Sequence, residues 1–141
     1  MKLKLFFSGI ILFLTFFSYA EGNRSLSSTD AQLYFISPSD GEVLKSPFTV
    51  RFGLSNMGVA PAGVDVENTG HHHLLIDAEK LPESDKALPS DEMHIHYGGG
   101  QTESILDLVQ GKHSLQLILG DKYHIPHKPP VISKKIFITI K

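Results

Sequence analysis

Histidine supplies most of the chemistry this chain can do. Its eight imidazoles fall in four places: His71-His72-His73 directly before Leu74-Leu75-Ile76, His94 and His96 around Ile95, His113 two residues after Gly111, and His124 and His127 around Ile125-Pro126. An imidazole titrating near its usual pKa of about 6.5 is mostly neutral at pH 7, and so able to coordinate a metal. The chain has no cysteine, which removes thiolate nucleophiles, redox pairs, thiolate metal sites and disulfides together. Any metal site must use imidazole, carboxylate or the thioethers of Met57 and Met93. Imidazole-rich sites suit Cu(II), Zn(II) or Ni(II), and the order of affinities puts copper first.

Spacing decides which rings can meet. Side chains alternate across a strand, so a strand through Asp77 puts His72 on the face of Leu74 and Ile76, and His71 and His73 on the face of Leu75. The same alternation aligns His113 with Leu115, Leu117 and Leu119. His72 and His113 are therefore expected to look inward at strand ends, where an unpartnered ring costs about 1–3 kcal/mol. His94 and His96, spaced i and i+2, share one side about 6.5–7 Å apart. Pro126 stiffens the backbone between His124 and His127. These clusters at strand ends could gather at one end of a fold, as binding loops do.

The candidate ligands are thus His72, His73, His94, His96, His113, His124 and His127. Asp91, Glu103 and Asp121 are candidates for extra ligands or hydrogen-bond acceptors behind them. A single histidine beside apolar residues is more often a satisfied core side chain than a ligand, so the case rests on the constellation. No His-Glu-x-x-His helix motif strengthens it.

Other chemistry finds less support. Gly98-Gly99-Gly100 is not followed by Gly-Lys-Ser/Thr, so it is no P-loop, and it reads as a sharp turn or bulge beside His96. No Gly-x-Ser-x-Gly elbow occurs, which leaves a serine hydrolase without its nucleophile turn. The formal charge is −2, and the basic residues form no stripe interleaved with aromatics. Nucleic acid is not an expected partner.

The elements that must position these residues follow a signal-like start. Lys2 and Lys4 precede an almost wholly apolar run from Leu5 to Phe17, then Ser18-Tyr19-Ala20 forms a small-x-small cleavage site. Residues 1–20 read as a cleavable secretory signal, too short to span a bilayer. Periplasmic or secreted location follows, with no membrane attachment after cleavage. Residues 21–30 read as a flexible polar lead, and 31–141 as one domain. Within it QLYFIS, PFTVRFGL, HHLLID, TESILDLV, KHSLQLILG and SKKIFITIK read as strands, with Gln110-Gly111 placed for a tight hairpin between the fourth and fifth. Pro82 and Pro89 discourage a helix in the long connection after Asp77. The expected fold is all-β: an immunoglobulin-like antiparallel β-sandwich of about seven strands.

The segments GHHHLLID, HIHYGGGQTE, GKHSLQLILGD and HIPHKPPV, with SPSDGEVLKSPFTVRFGL and GVAPAG upstream, resemble a family of small exported bacterial proteins known as domain of unknown function 4399. The resemblance implies an exported single domain and brings no activity with it. The residues themselves lead to an exported carrier or buffer of a copper or zinc ion, with a periplasmic protein as possible partner. Two alternatives stay open: a structural or interaction module without metal, and a copper oxidoreductase. His94-x-His96 on a sandwich is similar to copper-zinc superoxide dismutase, although the full ligand set and the disulfide have no counterpart here.

Overall fold

The computed structural model describes residues 24–141, so the expected secretory signal lies outside the described residues. Within them the chain forms nine strands and no helix: β1 (Gln32–Ser37), β2 (Val43–Leu44), β3 (Phe48–Ser55), β4 (Gly58–Val59), β5 (Thr69–Ile76), β6 (His94–His96), β7 (Glu103–Leu106), β8 (Gly111–Gly120) and β9 (Ile136–Ile140). They make two sheets. The smaller has the order β1-β3-β7, and the larger β2-β9-β8-β5-β4, with β6 also paired to β5. The long ladders are antiparallel; only the two-residue strands β2 and β4 join their neighbours in parallel.

Period-two patterning explains how the sheets meet. Val50 and Phe52 on β3, Leu33 on β1 and Leu106 on β7 face Leu74 and Ile76 on β5, Leu115, Leu117 and Leu119 on β8, and Ile136, Ile138 and Ile140 on β9. One continuous apolar core results. Burying each of these side chains stabilises the fold by roughly 1.5–3 kcal/mol. The opposite face of the larger sheet is also covered, by a second cluster of Leu75, Ala78, Leu88 and Ile118. Consequently every residue of β5 from Gly70 to Ile76 is buried. Its histidines lie in the interior.

The hairpin expected at Gln110-Gly111 is not formed, because β7 pairs with β3 in the smaller sheet while β8 pairs with β5 and β9 in the larger. The four residues between them carry the chain from one sheet to the other. Ser46 anchors that crossing: its hydroxyl donates to Asp107 and accepts from the Leu108 N–H, both at 2.8 Å. Turn chemistry marks where a chain bends, whereas the core decides which sheet receives the next strand. Part of the expected lead, residues 24–27, is bonded to the 121–129 segment. Ser27 donates its N–H to Lys128 O, and Arg24 donates to the carbonyls of Pro126 and His127.

Close approach fixes Gly70. A Cβ on Gly70 would lie 2.6 Å from Gly120 O and 2.8 Å from both His127 and Leu119. Gly70→Ala is therefore expected to destabilise the protein by about 1–3 kcal/mol, the usual cost of overpacking, measurable as a lower denaturation midpoint.

Candidate metal centre

Register builds the site. β5 pairs with β6 so that His73 stands directly opposite His96, and with β8 so that His71 stands opposite Gly120 and His73 opposite Ile118. Directly opposed residues share a sheet face, and His71 and His73, two apart, share it too. The three rings must therefore project to the same side. Their ligand nitrogens all lie within 4.8 Å of one another, and the Nε2 atoms of His71 and His73 are 3.1 Å apart. Ring centroids are separated by 4.9 Å for His71–His73, 5.0 Å for His71–His96 and 4.9 Å for His73–His96.

A fourth ring comes from the loop after β8. His124 packs 4.7 Å from His96, 5.1 Å from His71 and 6.1 Å from His73, centroid to centroid. Its backbone has φ +67°, a conformation uncommon for residues other than glycine. The buried Asp121 carboxylate holds this loop by accepting from the N–H groups of Tyr123, Ile125 and Ser25 and from the Ser25 hydroxyl. His124 in turn donates its N–H to Asp121 O and accepts from Leu88 N–H, each at 2.8 Å. Burial raises the pKa of Asp121, but these hydrogen bonds outweigh it and leave the group below its ordinary value, hence charged at pH 7.

Glycines make room for the rings. A Cβ on Gly120 would come within 2.8 Å of His73 Nε2, and one on Gly98 within 2.4 Å of His96 Cε1. The turn expected beside His96 is present, closed by Gly100 N–H donating to Tyr97 O at 3.1 Å.

Burial dominates the electrostatics. It pushes His71 down to about 4, helped by repulsion from His124 and His96 and opposed by Asp121. It pushes His73 down to about 3, helped by His71, His96 and His124. His96 is lowered by burial first and then by His124. At pH 7 these three rings are neutral, with lone pairs available. His71 Nδ1, His73 Nδ1 and His96 Nε2 are buried and have no hydrogen-bond partner among the described residues.

The remaining histidines lie outside the cluster. His72 points to the other face of β5, into the core, with its ring 5.1 Å from Phe52, and burial takes its pKa to about 4. His94 shares the side of His96 but stands opposite Leu75, with Nδ1 2.8 Å from Asp91. His113 lies toward the far end of β8, between Asp77 at 2.7 Å and Val109 O at 2.8 Å. His127 is fully buried, with Nε2 3.0 Å from Thr69 O.

Of the seven histidines expected as ligands, the fold gathers His73, His96 and His124 and keeps His72, His94, His113 and His127 apart from them. It adds His71. The alternation that placed His71 beside His73 was the signal for it. None of the three carboxylates joins the group: Asp91 binds His94, Glu103 pairs with Arg51 at 2.9 Å, and Asp121 holds the loop. Met57 packs against the core and Met93 is exposed.

His113 has a structural role with its own pH signature. Burial disfavours its charged form, but the Asp77 and Val109 hydrogen bonds outweigh burial and raise its pKa. A raised pKa means stability present below about pH 6.5 and lost as pH rises through the folded value. His113→Ala is expected to cost about 1.5–3 kcal/mol at pH 6, from loss of a hydrogen bond to a charged group, and less at pH 8. Denaturation at the two pH values checks this, and metal uptake by the variant should be unchanged.

The fold and cluster together define an all-β domain carrying interior imidazoles on one face of its larger sheet. The chain belongs to the family described as a domain of unknown function, DUF4399, whose model matches residues 50–141. That span contains all eight histidines. No curated protein and no solved structure matches the chain.

Proposed function

We propose that this protein is an exported carrier or buffer for a transition-metal ion, copper or zinc, held by His71, His73 and His96. One observation carries the reading: three neutral imidazoles, two of them fully buried, each bring a ring nitrogen within 4.8 Å of the others. Two nitrogens bound to one zinc at about 2.0–2.1 Å stand roughly 3.3 Å apart, close to the 3.1 Å between His71 and His73 Nε2. Carriage is favoured over turnover because none of the three candidate carboxylates joins the imidazoles as a general base. Export rests on the signal-like residues 1–20 and leaves the periplasm as the place of action. The two sheets facing one core also support an immunoglobulin-like sandwich as the finer description of the fold.

Calorimetric titration of metal-free mature protein and two variants tests the ligand set. His96→Ala should weaken Zn(II) or Cu(II) binding by about a hundredfold or more, beyond the 10- to 100-fold that supporting groups contribute. His94→Ala, two residues away on the same side, should leave it nearly unchanged. Equal effects of the two substitutions would count against the assignment. A copper oxidoreductase would use the same cluster, and an assay of the metal-loaded protein with superoxide separates it from a carrier.

A further inference from the structure

We propose that His124 is the fourth ligand of this centre and that the four rings form a tetrahedral site, one that favours Zn(II) and works against square-planar Cu(II). This rests on the metal-binding reading above and specifies its coordination. With a metal–nitrogen distance of about 2.0–2.1 Å, the centroid of a bound imidazole lies about 3.2 Å from the ion. Four centroids at that radius are about 5.2 Å apart in a tetrahedron; in a square they have sides of about 4.5 Å and two diagonals of about 6.4 Å.

The six observed separations run from 4.7 to 6.1 Å. A square needs two long separations that share no ring. If His73–His124 at 6.1 Å is one diagonal, the other must be His71–His96, and that is 5.0 Å. The planar arrangement fails on this pair, whereas five separations between 4.7 and 5.1 Å suit a tetrahedron.

The elements explain how this shape is kept. His71, His73 and His96 are fixed by the register of β5 and β6. His124 stands across from them on a loop fastened through Asp121 and Leu88. It is only partly buried, while His71 and His73 are fully buried. An ion therefore enters on the side of His96 and His124, meets three converging nitrogens, and is closed in when the His124 ring turns a nitrogen toward it. Four neutral donors leave the ion's charge uncompensated, and the nearby Asp121 carboxylate, which already acts on His71, offsets part of it.

Co(II) tests the proposal, because its visible absorption is strong when four-coordinate and weak when six-coordinate. The probes are Co(II), Zn(II) and Cu(II), titrated into wild type, His124→Gly and His124→Asn, since both glycine and asparagine tolerate the left-handed backbone. Wild type should give the strong four-coordinate bands. Both variants should still bind through three histidines, with weaker bands and about 10- to 100-fold lower Zn(II) affinity, and Cu(II) should gain on Zn(II) relative to wild type. Spectra and affinities unchanged in both variants would remove His124 from the centre while sparing the three-histidine reading. A six-coordinate wild-type spectrum would overturn the tetrahedral assignment. Failure of wild type to take up any of the three ions would overturn the metal-binding reading itself.

Discussion

Replacing His71 and His73 together by leucine should abolish metal uptake and leave the metal-free protein at least as stable at pH 7 as the wild type. This sign is unusual for a double change at two fully buried strand positions. Each ring has an Nδ1 without a partner among the described residues, and their polar contact with one another is the 3.1 Å approach of the Nε2 atoms. A buried unsatisfied group costs about 1–3 kcal/mol, and replacing both partners of a pair with apolar groups of similar shape is close to neutral or stabilising. Leucine is near histidine in size and would extend the cluster of Leu75, Leu88 and Ile118 on the same face. Chemical denaturation measures the outcome. A loss of more than about 2 kcal/mol would mean that these rings hold the fold together.

Acid should destabilise the metal-free protein well before its carboxylates titrate. His71 and His72 are pushed down to about 4 and His73 to about 3, in each case chiefly by burial. Between these values and about 6.5 the unfolded chain binds protons that the folded chain refuses, so stability rises with pH across the window and is lost as pH falls through it. Even with solvent screening reducing each contribution, the melting temperature should fall by about 10 °C or more between pH 7 and pH 4.5. The leucine double variant, keeping only His72 of the three, should lose much less. His113 acts with the opposite sign and at higher pH, its raised pKa removing stability as pH increases. Thermal melts at half-unit intervals would resolve the two. A flat profile from pH 7 to 4.5 would contradict the burial of neutral rings. Bound zinc should be released in the same acid range, since protons compete for the same nitrogens.

Strand positions could be read where alternation was clean. QLYFIS coincides with β1, PFTVRFGL differs from β3 by a residue at each end, and the alternating Leu115, Leu117 and Leu119 of KHSLQLILG and Ile136, Ile138 and Ile140 of SKKIFITIK face the shared core. What alternation could not give is which strands pair. The two-residue strands β2 and β4 carry too few positions for any period, and the sheet change between β7 and β8 depends on contacts distant in sequence. The site followed the same rule. His94 and His96 do share a side, as their spacing requires, yet only His96 stands opposite His73, because register selects one of the two. Sequence alone separates His72 from His71 and His73 but cannot say which face collects other histidines. His113 and His127 look like ligands in the chain and prove to be hydrogen-bonded to Asp77 and to the Thr69 carbonyl. Their partners lie 36 and 58 residues away.

The most direct test is calorimetric titration of Zn(II) into the metal-free mature protein at pH 7. Binding of about one equivalent, absent from the His71→Leu/His73→Leu variant and weakened in His96→Ala, is the result expected of a site built from three or four imidazoles. No saturable binding by the wild type, with the protein folded throughout, would contradict the account.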